Sequence, residues 1–257
     1  MLGDVVGYGP DPVACLELVL EVANVLLLGN HEHDTLYGAG PRTSAAAAAS
    51  LAWTKTQVEG TRVWAEIERR VLQALPRGGV RALANTVDQG LRLVHAAPED
   101  PIHRYTWPGN RSLHLWANAA ADRSLLRILD SFGEVHGFCG HTHVPALLMP
   151  YAHHPILRGT PRWNRELTFV GPQTVFFVPL GDTRIQGLGG VHALMNPGSV
   201  GQPRDGLPAA SYALYDGDSV IFRRVDYDLA ATQHKILDMD IDPEVRTALV
   251  ERLDEGR

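Results

Sequence analysis

Short apolar runs, each closed by glycine or a polar cluster, recur along the first half of the chain and predict alternating helices and strands. Asp11-Pro12 offers a helix start, an N-cap oxygen followed by a residue suited to the first helical position. Ala14, Leu16, Leu18, Val19, Val22 and Ala23 then supply a broad apolar face. Asn24 to Leu28, wholly apolar after the asparagine, reads as a short buried strand of a parallel sheet. Gly29 ends it and puts Asn30-His31-Glu32-His33-Asp34 on the following loop. From Ser44 to about Leu75 the pattern is helical: an alanine run, then a segment capped by Thr61 with Val63, Ile67, Val71 and Leu75 on one face.

After a break at Pro76 to Gly79, strands are expected at Val80–Val87 and Leu91–Val94, joined by the turn Asp88-Gln89-Gly90. The second ends in His95. A helix runs from Asp122 through Leu129, and Val135–Cys139 leads into Gly140-His141-Thr142-His143. Residues 150–190 are irregular and rich in Pro and Gly, with strands at Thr168–Val170 and Val175–Leu180, as in a surface insertion (147–190) or an extended hairpin. Ser211–Tyr215 and Ser219–Val225 alternate around Asp216-Gly217-Asp218, and helices at Leu229–Leu237 and Asp242–Leu253 follow. No internal repeat or linker divides the 257 residues, so one domain, 1–257, is expected.

Composition narrows the functional classes. A net charge of −6 gives no electrostatic case for nucleic acid or an anionic membrane surface. No apolar run approaches the about 18 residues of a membrane span. Cys15 and Cys139 read as two inert buried thiols, which fits a reducing, cytoplasmic compartment.

The candidate chemistry lies where apolar runs end. An Asp, an Asn and several His at strand mouths are what a hydrolytic metal centre requires, since ligands gather at the carboxyl ends of such strands. Gly3-Asp4, Gly29-Asn30-His31-Glu32, His95 and Gly140-His141-Thr142-His143 occur in order, and the run Asn196 to Gly206 follows. In these residues the chain resembles the calcineurin-like metallophosphoesterase superfamily, and more closely its bacterial branch of small single-domain phosphodiesterases. The resemblance implies an α/β fold, a four-layer α/β/β/α sandwich with two sheets face to face, and a two-metal site at one rim.

By that resemblance Asp4 bridges both ions, Asn30, His95 and His141 complete the second, and His143 belongs to the first. His31 lies beside them, contacting substrate and protonating the leaving group, with Glu32 orienting its ring. Two divalent ions can share a hydroxide and bind the non-bridging oxygens of a phosphate ester. Neutral imidazoles suit Mn, Fe, Zn or Co, with Mn favoured, rather than a pure Mg or Ca site. Arg204 is a candidate substrate-binding cation, or else a salt-bridge partner of Asp205 or another carboxylate. His33, His103, His114, His136, His153, His154, His192 and His234 are expected to be surface or packing histidines, and Asn118 and Asp122 carry no expected role.

One motif of the family, an Asp-x-His on an earlier strand, has no counterpart in the sequence. Glu134-Val135-His136 has the spacing but belongs to the strand that feeds His141. The fold is therefore expected to be N-terminally truncated, leaving the first metal with Asp4 and His143. A misplaced start or a gene fragment is the favoured explanation; the other is a short chain that exists as such, with a one-metal or empty site. The leading expectation is a metal-dependent phosphoesterase acting on phosphodiesters or small phosphorylated metabolites, the chain as written being a weak enzyme. The alternatives are a catalytically impaired binding or regulatory protein and a protein Ser/Thr phosphatase.

Overall fold

The computed structural model describes residues 1–41, 43–108, 121–152 and 168–257. His114, Asn118, His153 and His154 lie outside the described residues. Thr61 caps helix α4 (Arg62–Ala74) by accepting from the Trp64 amide (3.3 Å), and Ser44 does the same for α3 (Ala45–Val58) through Ala47. Helix α4 buries Trp64, Ile67, Val71 and Ala74, one position round from the face the sequence suggests, so Leu75 is exposed. Trp64, Ile67 and Val71 form one apolar cluster with Leu16 of α1 (Pro12–Val22), Val6 and Leu28.

Asn24–Leu28 bends at Asn24 and Val25 and joins none of the described sheets. Its bonds are scattered, Leu27 N to Met1 O (3.0 Å) and Leu28 N to Leu83 O (3.3 Å). The polar run after it is not a loop: Asn30–Tyr37 forms helix α2, with Gly29 as its N-cap. The strand expected over Val80–Val87 is a helical turn, α5 (Val80–Leu83), and then β1 (Asn85–Asp88). Val80 and Leu83 turn into the α4 cluster instead of a sheet. Asp88-Gln89-Gly90 does close a hairpin to β2 (Leu91–Val94), with φ 48° at Gln89 and 80° at Gly90.

A seven-stranded sheet carries the site. Its order is β1-β2-β3-β8-β4-β6-β5, with β3 at His136–Cys139, β4 at Ala146–Pro150, β5 at Thr168–Val170, β6 at Thr174–Phe177 and β8 at Ala193–Asn196. Strands β2, β3 and β8 are parallel, so the exits of β2 and β3 lie side by side. Segment 147–190 is not a surface insertion where it is described: β5 and β6 form a hairpin against β4 in this sheet, and Met149, Val175 and Phe177 are core residues. β7 (Thr183–Ile185), β10 (Val220–Val225) and β9 (Ala210–Tyr215) make a second, antiparallel sheet.

The two sheets share the cluster of Leu147, Met149, Met195, Val220 and Phe222. Helix α6 (Asp122–Phe132) covers the other face of the large sheet through Leu125, Leu129 and Phe132. Asp122, given no role by the sequence, locks α6 to β6 by accepting from Thr174 N (3.0 Å) and Thr174 Oγ1 (2.6 Å). Helices α7 (Leu229–Leu237) and α8 (Pro243–Glu255) pack together beside α3 through Ile236, Leu249 and Trp53. Cys139 is buried as expected, but Cys15 is exposed. Leu16 faces the core while Leu18 and Val22 face solvent, so the broad apolar pattern of α1 did not reveal its orientation. No described helix is long and apolar enough to cross a membrane.

Candidate metal centre

Four segments converge at the exits of β2 and β3. Asp4 sits in a glycine-flanked turn, Asn30 and His31 open α2, His95 follows β2, and His141 and His143 follow β3. Glu32 holds the first two together. It is fully buried, and its carboxylate accepts four backbone N–H groups: Asp4 (3.0 Å) and Gly29 (2.7 Å) on Oε2, Val5 (2.7 Å) and Val6 (3.2 Å) on Oε1. The Asp4 turn is thus pinned to the first turn of α2, and Asp4 Oδ1 returns the contact by accepting from His31 N (3.0 Å). Glu32 does not orient the His31 ring as the sequence suggested; its oxygens are spent on backbone. Gly29 is required here because a Cβ would overlap Asp4 Oδ1.

Three of the imidazoles are each fixed by a backbone carbonyl. His95 Nδ1 lies 2.7 Å from Leu2 O, His141 Nε2 3.2 Å from His103 O, and His143 Nδ1 2.7 Å from Gln202 O. A carbonyl can only accept, so the facing nitrogen of each ring carries the proton and the other presents a lone pair. Those lone pairs point at oxygen. His95 Nε2 is 3.2 Å from Asn30 Oδ1 and 3.5 Å from Asp4 Oδ1, and His141 Nδ1 is 2.8 Å from Asn30 Oδ1. His143 Nε2 is 3.5 Å from Asp4 Oδ2. Acceptors facing acceptors in a buried site call for a cation between them.

The electrostatics keep the His141 and His143 rings in that form. Burial pushes His141 well down, with the His95 ring adding to it, and burial with the Arg204 charge brings His143 down to about 4. Burial would raise Asp4, but His95, His31 and His143 around it hold the carboxyl well below its usual range. Neutral imidazoles, an amide oxygen and an ionised carboxylate suit a divalent transition ion.

The ligand atoms of Asp4, His95 and His141 all lie within 4.8 Å of one another, and Asn30 Oδ1 contacts both rings. His143 faces the other Asp4 oxygen, where no third Cys, His, Asp or Glu among the described residues completes a set. Asp4, His31, His141 and His143 are among the residues lining a cavity of about 600 Å³ whose walls are largely apolar, including Leu93 and Phe138. The sequence alternative Glu134-Val135-His136 is occupied elsewhere: Glu134 pairs with Arg92 (2.8 Å), and His136 joins Leu188 O (2.9 Å) to Tyr215 Oη (2.5 Å).

Two polar groups around this centre lack partners. His31 is buried with Nδ1 over Gly7 and makes no hydrogen bond there; burial lowers its pKa, partly opposed by the charge of Asp4. Arg204 is also buried and forms no pair with Asp205, which bonds Arg224 instead. Its Nη1 donates to Tyr105 Oη and its Nη2 to Gln202 Oε1 (both 3.2 Å), while Nε has no acceptor. Tyr105 in turn stacks on His141, ring centroids 4.1 Å apart.

Gln202, Tyr105 and Asn196 are contributors that sequence reasoning missed. Gln202 sits inside the Asn196–Gly206 run of the sequence. Asn196 Nδ2 donates to Gly140 O (2.8 Å) and Thr142 Oγ1 (2.9 Å), tying that run to the histidine loop. Asp4, His141 and His143 all take left-handed backbone, φ 55°, 59° and 58°, a region that non-glycine residues rarely adopt and that clusters at functional sites.

Comparisons with known proteins give the family and the fold. The family model for calcineurin-like phosphoesterases matches residues 1–145. A protein of Methanocaldococcus jannaschii described as uncharacterized is 25% identical over 249 residues, covering 92% of this chain and 79% of the relative. A crystal structure of a metallophosphoesterase from Sphaerobacter thermophilus aligns with a TM-score of 0.67 at 28% identity, covering 100% of this chain and 87% of that one.

Proposed function

Because the chain belongs to the calcineurin-like phosphoesterase family, we propose that it hydrolyses phosphodiesters or small phosphorylated metabolites at the Asp4 centre. The observation that carries this is the inward set of bare lone pairs on His95, His141 and His143, each opposed by an oxygen of Asp4 or Asn30. Asp4, Asn30, His95 and His141 would hold one divalent ion, with Mn favoured, and Asp4 with His143 would offer two donors to another. Such ions bind phosphate oxygens and make water nucleophilic near neutral pH.

The protein's own groups do the rest. Arg204, a buried guanidinium with a free Nε, meets the negative charge of a phosphate that the metal donors do not cover. An anion bound beside His31 counters the burial that lowers its pKa, so the ring takes up a proton. From Nε2, which makes no hydrogen bond among the described residues, that proton passes to the leaving oxygen. Among the described residues Arg204 is the one arginine assigned to the phosphate, which favours small esters over a phosphoprotein substrate.

The test is turnover of bis-p-nitrophenyl phosphate by the purified chain with added Mn, compared with His95→Ala. Hydrolysis lost in the variant supports the reading; a wild-type chain that binds Mn without turnover overturns it. One observation favours a second reading, a fold relative with a binding role: the described residues give His143 and Asp4 no further donor. That reading expects one ion per chain and no effect of His31→Ala on function.

A further inference from the structure

A second group of ligand-type side chains lies outside the centre just described. His33 and Asp34 stand next to each other on α2, and His103 comes from the loop beyond β2. Their ligand atoms all lie within 4.8 Å of one another. Asp34 Oδ1 is the hub, 2.8 Å from His33 Nδ1 and 3.5 Å from His103 Nε2. The first distance is a hydrogen bond. The second is too long to be a good one, yet it suits two ligands of one ion, since bonds of about 2.0–2.1 Å to zinc leave neighbouring donors roughly 3–3.5 Å apart.

The two rings stand edge to face with centroids 5.1 Å apart, which leaves both nitrogens turned toward the same carboxylate. Access is open: the side chain of His103 is 40% exposed and that of His33 29%, against 7% for Asp34. The sequence placed His33 and His103 among surface or packing histidines because no spacing links residues seventy positions apart.

We propose that His33, Asp34 and His103 form an additional divalent-cation site at the rim of the cleft, taking Zn or a similar borderline transition ion with water in its remaining positions. Two imidazoles and one carboxylate are the donor set of open zinc sites. The site is joined to the main centre through one residue, because the carbonyl of His103 fixes the His141 tautomer (3.2 Å). An ion held by the His103 ring therefore steadies the loop that aims a ligand of the neighbouring centre.

Counting ions tests this independently of catalysis. The full chain and the double variant His33→Ala/His103→Ala are equilibrated with buffered micromolar free zinc, and bound metal per chain is measured. The expected result is one equivalent fewer in the variant, with unchanged circular dichroism. Equal zinc content in the two proteins overturns the proposal. Should the double variant fold poorly, His103→Gln alone serves, with cobalt replacing zinc: loss of one component of the visible cobalt spectrum supports the site, and an unaltered spectrum refutes it. Neither readout depends on phosphoester turnover, so the outcome stands whether or not the function proposed above holds.

Discussion

Replacing Glu32 isolates how the Asp4 turn is held. In Glu32→Ala the amides of Asp4, Val5, Val6 and Gly29 all lose their acceptor. An orphaned buried N–H costs about 1–3 kcal/mol. The amides of Asp4 and Val5 are only partly buried, so water softens their loss, and the four together come to about 4 kcal/mol. Glu32→Gln keeps one carbonyl oxygen for two of the donors and turns an NH2 toward the other two, at about 2 kcal/mol. Burial and the nearby Asp4 charge push the Glu32 carboxyl upward, against the bonds from Gly29 and Val6. Relieving that burden in either variant makes both figures ceilings.

The assay is urea unfolding of the metal-free chain followed by circular dichroism, with melting as a second probe. For a chain of this size about 2–4 °C accompanies each kcal/mol, so the glutamine variant melts lower by up to about 4–8 °C and the alanine variant lower still. Metal affinity should fall in both, by the roughly 10–100-fold typical of lost support behind a ligand. A glutamine variant that unfolds at the wild-type midpoint would refute the claim that Glu32 serves as the backbone's acceptor.

Arg204→Ala should raise KM for a small phosphoester about 10–100-fold, the worth of one charged hydrogen bond, with bound metal unchanged. An unaltered KM removes Arg204 from the substrate. His143 is held at about 4 against an ordinary 6.5, so the unfolded chain binds the extra proton and the folded one does not. Stability of the apo protein should then decline as pH falls from 6.5 toward 4, by about 3 kcal/mol from this ring; a flat profile over that window in urea titrations contradicts it. Cys139, buried and pushed up to about 12, should resist Ellman's reagent at pH 8 until the chain unfolds, while exposed Cys15 reacts natively; two native equivalents would overturn this assignment.

Much of the frame was readable because it rests on local signals. The Thr61 cap, the turn at Gln89-Gly90 and the hairpin around Asp216-Gly217-Asp218 appear where the sequence puts them. The five metal-ligand candidates, read from short motifs at strand exits, come together because β2 and β3 run parallel and α2 begins beside them. Helix α2 was missed since Asn-His-Glu-His-Asp has no apolar period and little helical propensity. Its first turn is held by Glu32 gripping a distant segment, a long-range bond that no local window contains. For the same reason Glu32 was given to His31, its neighbour in sequence. The cluster of His33, Asp34 and His103 and the part played by Tyr105 depend on the path of the loop beyond β2, which hydrophobic patterning does not encode.

The backbone at His141 and His143 sits where an L-residue with a branched or bulky side chain is strained, at a cost of about 1–3 kcal/mol per position. Glycine or asparagine occupies that region with far less penalty. A thermostability screen blind to chemistry would therefore be drawn to these two codons, and its winners would be sturdier molecules with an emptied pocket. Anyone engineering heat resistance into this scaffold should hold both positions fixed and look for gains elsewhere.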